Sequence, residues 1–224
     1  MEPSTDVETL LRHKAKAVLR QRAKNLRSTM PSDAIAQRSA AIVERVAALP
    51  EIAGAATVAL FYPMERRHEV DLRDLDLSLR MRRKRVAYPT IDPETRVMTF
   101  RFTGKLAEVE ERGMMFSEPP HDAEEATALD VIVVPALQVD PRGHRIGYGA
   151  GFYDRTLPRY LPGARTVIVA FDFQLIPEVP VTEGDVACDV IVTDRRVLHA
   201  EHPPAADLRA PRPGEPAQKK SPGA

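Results

Sequence analysis

The sequence predicts an α/β fold, in which an open, twisted and mostly parallel sheet carries helices on both faces. Short apolar, β-prone runs alternate along the chain with segments of helical periodicity. The run DVIVVPAL at 130–137 is continuously apolar, which is typical of a strand buried on both faces of a parallel sheet. The chain has 224 residues, 43% of them hydrophobic, and this is enough to build such a core.

The first two predicted elements are helices. Apolar residues recur at helical spacing near one face of the first segment: Leu11, Ala15, Val18, Leu19 and Leu26. A basic stripe lies roughly opposite: Lys16, Arg20 and Lys24. The chain breaks at Pro31, and Ser32 or Asp33 can then cap a second helix, which we expect Pro50 to end.

The remaining elements continue the alternation. Strands are predicted at 57–63, 85–90, 97–102, 130–137, 166–171 and 189–194. Helices are predicted at 70–79 and 151–161. Because the chain shows neither an internal repeat nor a long linker, we expect one domain over 6–200. The segment 201–224 is rich in proline, alanine and charge, so we expect it to be disordered.

Composition excludes several classes of function. The 32 basic and 32 acidic residues cancel, which argues against a dedicated nucleic-acid binder. The single cysteine, Cys188, cannot form an internal disulfide or a cysteine-rich zinc site. No stretch approaches the roughly 20 apolar residues of a membrane span, and the first residues lack a signal-peptide core. We therefore expect a cytoplasmic protein with no nucleic-acid or membrane partner.

The most informative segment is RIGYGAGFYDR at 145–155, which joins a predicted strand to a predicted helix. Gly147, Gly149 and Gly151 alternate, and glycine allows successive backbone N–H groups to cradle phosphate oxygens. Asp154 could hold Mg²⁺ that bridges phosphates. The alternative is that the glycines only form a tight turn. Neither the common P-loop pattern nor the dinucleotide pattern is present.

This segment resembles the signature of the 5-formyltetrahydrofolate cyclo-ligase family. Other segments resemble that family in the same order over about residues 10–195: KAVLR at 16–20, HEVD at 68–71, SEP at 117–119, VIVVPAL at 131–137, FDFQL at 171–175 and EGDVACD at 183–189. Ala150 departs from the glycine or lysine common at its position, which is tolerable if its φ is negative. The resemblance implies a fold similar to the sugar-phosphate isomerase and CoA-transferase type.

The resemblance also implies an activity. Family members close 5-formyltetrahydrofolate to 5,10-methenyltetrahydrofolate with Mg-ATP, and they release ADP and phosphate. The formyl oxygen would attack the γ-phosphate, after which N10 would attack the activated carbon as phosphate leaves. We expect a monomer that binds a folate. The alternatives are a sugar-phosphate isomerase-like enzyme on the same fold and a non-catalytic nucleotide- or RNA-binding relative.

Site residues follow from the resemblance in the same way. ATP binding is assigned to Lys16, Arg20, Arg145, Gly147, Tyr148, Gly149, Ala150, Gly151, Phe152 and Tyr153. Catalytic roles are assigned to Arg145 and Tyr153, and folate binding to Tyr62, Glu69 and Tyr153. Mg²⁺ would be held by Asp154 and Asp185. Asp189 and Asp194 are alternatives to Asp185, since they lie close by in the sequence.

Overall fold

A computed structural model of the chain describes residues 5–111, 116–161 and 163–200. The predicted disordered tail at 201–224 lies outside these ranges. The α-helices are α1 (Thr5–Ser28), α2 (Ser32–Ala47), α3 (Pro50–Gly54), α4 (Arg73–Met81) and α5 (Phe152–Thr156). The strands are β1 (Thr57–Ala59), β2 (Arg85–Ile91), β3 (Met98–Thr103), β4 (Glu110–Glu111), β5 (Ser117–Glu118), β6 (Val131–Pro135), β7 (Gln138–Val139), β8 (Arg145–Ile146), β9 (Arg165–Val169), β10 (Val190–Val192) and β11 (Val197–His199).

Seven strands form the central sheet in the order β11-β10-β9-β6-β1-β2-β3. The five strands from β10 to β2 run parallel to one another. The two edge strands, β11 and β3, pair antiparallel with their neighbours. Two short antiparallel pairs, β4 with β5 and β7 with β8, lie outside this sheet. The predicted mostly parallel sheet is confirmed.

Strand β6 is buried on both faces, as its apolar run predicts. Val131 and Val133 contribute to one hydrophobic core, and Ile132 and Val134 contribute to the other. Helices α2, α3 and α4 supply apolar side chains to the first core. Helix α5 and the 3₁₀ turn Leu157–Arg159 cover the second. Helices therefore lie on both faces of the sheet, and the predicted fold class is confirmed.

Two proline residues explain differences from the predicted elements. Pro50 does not simply end α2, because it occupies the first turn of a further short helix, α3. Proline is favoured there, since its missing N–H would have no partner inside the helix. The helix predicted at 151–161 is the shorter α5 followed by a 3₁₀ turn. Pro158 lies in that turn and cannot donate the hydrogen bond that would continue an α-helix.

Helix α1 turns its basic stripe, and not its apolar face, toward the rest of the protein. Lys16 and Arg27 are 8% and 4% exposed, whereas Leu11 and Val18 are 57% and 69% exposed. An amphipathic helix ordinarily buries its apolar face, and α1 departs from that rule. The basic side chains are buried because they bond to loops that surround a cavity.

Within the described ranges, no helix is both long and apolar enough to cross a bilayer.

Candidate active site

A cavity of about 470 Å³ opens at the carboxyl ends of β1, β2 and β6. Its walls include Tyr62, which follows β1, Pro89 of β2 and Pro135 of β6. From β1 the chain continues to β2 on one side, while from β6 it continues to β9 on the other. The cavity thus lies where the strand order reverses, which is where open α/β sheets bind ligands. Its volume suits a small-molecule site.

The cavity brings together every residue that the sequence predicts for the site. They come from α1, the segment after β1, strand β8, the glycine-rich loop at 147–151, helix α5 and a loop that precedes β10. Lys16 and Asp185, for example, are separated by 169 positions in the sequence. The predicted residues that line the cavity are Lys16, Arg20, Tyr62, Glu69, Arg145, Gly147, Tyr148, Gly149, Ala150, Gly151, Phe152, Tyr153, Asp154 and Asp185.

The glycine-rich loop lies directly against α1. Nε of Arg20 donates a 2.9 Å hydrogen bond to the backbone carbonyl of Gly147. Gly149 has φ of +102°, and a Cβ added there would lie 3.1 Å from Cζ of Arg20. Glycine therefore allows both the backbone conformation and the close approach of the guanidinium group. Ala150 is not among the residues with positive φ, which meets the condition set for alanine at this position.

Two ion pairs are formed between residues that line the cavity. Nζ of Lys16 pairs with Oδ2 of Asp185 and also donates a 2.7 Å hydrogen bond to Oγ1 of Thr182. Nη2 of Arg145 lies 2.9 Å from Oδ1 of Asp154. The Arg145 side chain is only 3% exposed, and its Nη1 donates to the carbonyl oxygen of Val186 at 2.8 Å. Each predicted metal ligand is thus held by a predicted phosphate-binding or catalytic cation.

Asp154 and Asp185 fit a magnesium ion shared with phosphates. Oδ2 of Asp154 and Oδ1 of Asp185 accept no hydrogen bond from the described residues, while the other oxygen of each is bonded. No group of three or more metal-ligating side chains lies within the described ranges. Mg²⁺ commonly binds one or two carboxylates together with substrate phosphates and water, so two free oxygens suffice.

The two alternatives to Asp185 have other partners. Asp189 accepts hydrogen bonds from the backbone N–H and hydroxyl of Thr166, each at 2.8 Å. Asp194 accepts from Arg38 at 2.7 Å and from the backbone N–H of Asp172 at 2.7 Å. Neither aspartate lines the cavity. The geometry therefore favours Asp185 as the second carboxylate of the site.

Glu69 is a buried carboxylate in the wall of the cavity and is 5% exposed. Its Oε1 accepts a 2.8 Å hydrogen bond from the Tyr148 hydroxyl, and its Oε2 accepts one of 2.9 Å from the backbone N–H of Met64. Burial raises the pKa of Glu69, while these hydrogen bonds and the charges of Arg27 and Arg67 oppose the rise. Tyr148, which the resemblance assigns to ATP binding, therefore donates a hydrogen bond from its hydroxyl to Glu69, which the resemblance assigns to folate binding.

Tyr153 lines the cavity and has a hydroxyl group with no hydrogen-bond partner among the described residues. Its oxygen is buried and makes no hydrogen bond with the residues described. Burial raises the pKa of Tyr153, so the hydroxyl keeps its proton at neutral pH. The Arg145 guanidinium lies 6.0 Å from the centre of the Tyr153 ring. A buried hydroxyl without a partner is a group that a bound ligand can satisfy.

Arg27 was not predicted for the site, although it donates a hydrogen bond to the Tyr148 hydroxyl. It lies outside the segments that carry the family resemblance. Helical spacing could have found it, since Lys16, Arg20, Ala23 and Arg27 are separated by four, three and four residues. Such residues share one face of a helix.

Comparison with known proteins identifies the family of this chain. The sequence model of the 5-formyltetrahydrofolate cyclo-ligase family matches residues 12–194. A 5-formyltetrahydrofolate cyclo-ligase of Escherichia coli strain K12 is 31% identical over 158 residues, which cover 68% of this chain and 86% of that protein. A 5-formyltetrahydrofolate cyclo-ligase of Mycolicibacterium smegmatis is 44% identical over 86 residues, which cover 37% of this chain and 44% of that protein.

A solved structure supports the same relationship. The NMR structure of 5,10-methenyltetrahydrofolate synthetase from Aquifex aeolicus superposes with a TM-score of 0.72 and 26% sequence identity. The superposition covers 92% of this chain and 99% of that one. Because the family's sequence model matches most of the chain, and the fold agrees with a solved relative, this chain belongs to the 5-formyltetrahydrofolate cyclo-ligase family of enzymes.

Proposed function

We propose that this chain converts 5-formyltetrahydrofolate to 5,10-methenyltetrahydrofolate at the expense of Mg-ATP, with release of ADP and phosphate. One observation carries the proposal beyond family membership. The same glycine-rich loop contacts an α1 cation through Gly147 and a buried carboxylate through Tyr148. A loop in contact with both Arg20 and Glu69 is suited to bring a nucleotide and a folate together.

Three cations serve the nucleotide in this proposal. Lys16 and Arg20 would bind ATP phosphates from α1, and the backbone N–H groups of 147–153 would bind phosphate oxygens. Arg145 would stabilise the charge on the transferred phosphoryl group, because its buried guanidinium is fixed by hydrogen bonds before substrate binds. Phosphoryl transfer depends on this kind of positioning and charge stabilisation.

Asp154 and Asp185 would hold the magnesium ion through their free oxygens. When bound, Mg²⁺ neutralises charge on the phosphates. The two ion pairs keep both carboxylates in place, since each has one oxygen bonded to a cation. The chain's own contribution is therefore to orient the nucleotide, with one cation beside each metal ligand.

Glu69 would bind the pterin ring of the folate. A 2-amino-4-oxopteridine presents adjacent N–H donors, which a carboxylate can accept together. Tyr62 lines the same cavity and would contact the folate. The Tyr153 hydroxyl would donate a hydrogen bond to the substrate and so gain the partner that it lacks among the described residues.

The reaction then proceeds in two displacements. The formyl oxygen attacks the γ-phosphorus, and the bond from that phosphorus to ADP breaks. N10 next attacks the activated formyl carbon and loses its proton, and the carbon–oxygen bond breaks to release phosphate as the ring closes. An amide oxygen is a poor leaving group, and phosphorylation makes it a good one. The protein needs no covalent nucleophile and mainly aligns the two substrates.

An absorbance assay tests this proposal. Purified protein is mixed with 5-formyltetrahydrofolate and Mg-ATP, and the near-ultraviolet absorbance of the methenyl product is followed. We expect a rise that requires ATP and Mg²⁺ and that is matched by release of ADP. No rise from folded protein with sound substrates would contradict the proposal. Phosphosugar isomerisation or salt-dependent RNA binding would then support the corresponding alternative.

A further inference from the structure

We infer that Arg27 is a positioning residue for folate: it fixes the Tyr148 hydroxyl, and through it the Glu69 carboxylate, in the orientation that receives the pterin ring. The inference rests on the proposed function and extends it to a residue outside the signature segment. Arg27 acts through Tyr148 and is not assigned to contact either substrate.

Arg27 is buried without an ion pair of its own. It is 4% exposed, and no carboxylate in the described ranges lies within ion-pair distance of it. Its Nε has no hydrogen-bond partner among the same residues. A buried guanidinium group is costly unless nearby groups compensate it. The compensation here is the Tyr148 hydroxyl, to which Nη2 donates, and the Glu69 charge beyond it.

The direction of this hydrogen-bond chain follows from the chemistry of its members. A guanidinium group only donates hydrogen bonds, so the Tyr148 oxygen must accept from Arg27. The single proton of the Tyr148 hydroxyl is therefore free to be donated to Oε1 of Glu69, at 2.8 Å. The Met64 N–H donates to the other oxygen. Both oxygens of Glu69 thus act as acceptors, as the ionised carboxylate requires.

Arg27 also joins the segments that surround Glu69. Its backbone carbonyl lies 3.1 Å from Nδ1 of His68, the residue before Glu69. The guanidinium of Arg67 lies 4.4 Å from the centre of the Tyr148 ring, on the segment that carries Glu69. The last turn of α1 therefore fixes both the loop that presents Glu69 and the tyrosine that bonds to it.

Removal of the Arg27 charge has a defined electrostatic consequence. The groups that face Glu69 are Arg27 from α1, Arg67 from its own segment, and Tyr148 and Tyr153 from the glycine-rich loop and α5. Burial raises the pKa of Glu69, and Arg27 counteracts that rise. Without Arg27 the carboxyl group would bind a proton at higher pH. A protonated carboxyl accepts the pterin donors less well.

The test uses two variants that break the hydrogen-bond chain, Arg27→Met and Tyr148→Phe. Arg27→Lys is the conservative variant, and Arg22→Met is the control because Arg22 is an exposed residue of the same helix. We expect Arg27→Met and Tyr148→Phe to raise the folate KM about tenfold while the ATP KM stays within about twofold. The acid limb of the folate kcat/KM profile should move to higher pH in Arg27→Met. Arg27→Lys should restore part of the loss, and Arg22→Met should behave as the parent protein.

A second measurement needs no substrate. The protein is labelled with ¹³C at glutamate carboxyl groups, and the Glu69 signal is identified by its loss in Glu69→Gln. We expect Arg27→Met to raise the titration midpoint of Glu69. An unchanged midpoint, or folate and ATP KM values that rise equally, would overturn the inference. If the parent protein converts no 5-formyltetrahydrofolate, the proposed function fails, and the titration still decides whether Arg27 controls Glu69.

Discussion

Nζ of Lys16 and Oδ2 of Asp185 form an ion pair, so a residue predicted to bind phosphate and one predicted to bind magnesium are paired with each other. Arg145 and Asp154 repeat this arrangement at 2.9 Å. A metal–nucleotide complex carries both signs of charge. It can engage the cation of each pair through phosphate and the carboxylate through the metal. Under the proposed function, this arrangement would favour Mg-ATP over the free nucleotide.

Lys16→Met should weaken ATP binding selectively. The substitution removes the ammonium group and leaves Asp185, whose side chain is 19% exposed, without its cation. We expect the ATP KM to rise about tenfold and the folate KM to change by less than about twofold. Lys14→Met is the matched control, because Lys14 is an exposed residue of the same helix. Equal ATP KM values in the two variants would contradict the role of Lys16.

Gly149→Ala should disturb the glycine-rich loop, against which Arg20 of α1 packs. The backbone φ of +102° is unfavourable for alanine, and the new Cβ would meet the Arg20 guanidinium at 3.1 Å. Strain of about 1–2 kcal/mol is expected. We expect a lower Tm and a higher ATP KM. Gly54→Ala is the control, since a Cβ there meets nothing within 4 Å. The same Tm and ATP KM in both variants would show that the loop tolerates a side chain.

The strands of the sheet were predictable because burial on both faces leaves a local pattern. The run around Val131 to Val134 is apolar at every position, and each face packs into its own core. The orientation of α1 was not predictable from periodicity. Its apolar residues, such as Val18, are exposed, because the opposite face of the helix, with Lys16 and Arg20, lies against the cavity. Function here overrides the usual amphipathic rule.

The residues that form the site were easier to predict than the contacts between them. The RIGYGAGFYDR and HEVD segments identify Tyr148 and Glu69, but nothing local indicates that these two residues, 79 positions apart, form a hydrogen bond. Arg27 is one of 32 basic residues in the chain, and only its place on the Lys16 face distinguishes it. Long-range polar contacts of this kind arise from the tertiary fold.

Glu69→Gln should weaken folate binding much more than ATP binding. A glutamine side chain has one accepting oxygen, so it cannot accept from Tyr148, Met64 and the pterin as the carboxylate does. We expect the folate KM to rise at least about tenfold, with the ATP KM within about twofold. Glu65→Gln is the control, because the Glu65 side chain is 70% exposed. An unchanged folate KM would remove Glu69 from the pterin site.

The raised pKa of Glu69 also predicts how stability varies with pH. Burial lets the native carboxyl keep its proton above its ordinary pKa of 4.5, where the unfolded chain has lost it. The unfolding free energy contributed by Glu69 therefore falls as pH rises from 4.5 through the native pKa. Glutamine does not titrate. We expect the Tm of Glu69→Gln, relative to the parent protein, to increase over this range in calorimetric scans. A difference that is constant or shrinks would contradict the raised pKa.

Asp154→Asn tests the metal role without removal of the side chain. Asparagine keeps an oxygen that can accept from Arg145 and from the Val186 N–H, which Asp154 bonds at 2.9 and 3.2 Å. It loses the negative charge that a magnesium ion requires. We expect kcat to fall about 100-fold and the Mg²⁺ concentration for half-maximal activity to rise, with the folate KM little changed. Asp74→Asn, at an exposed position of α4, should match the parent protein. Near-normal kcat at limiting Mg²⁺ would show that Asp154 serves only to fix Arg145.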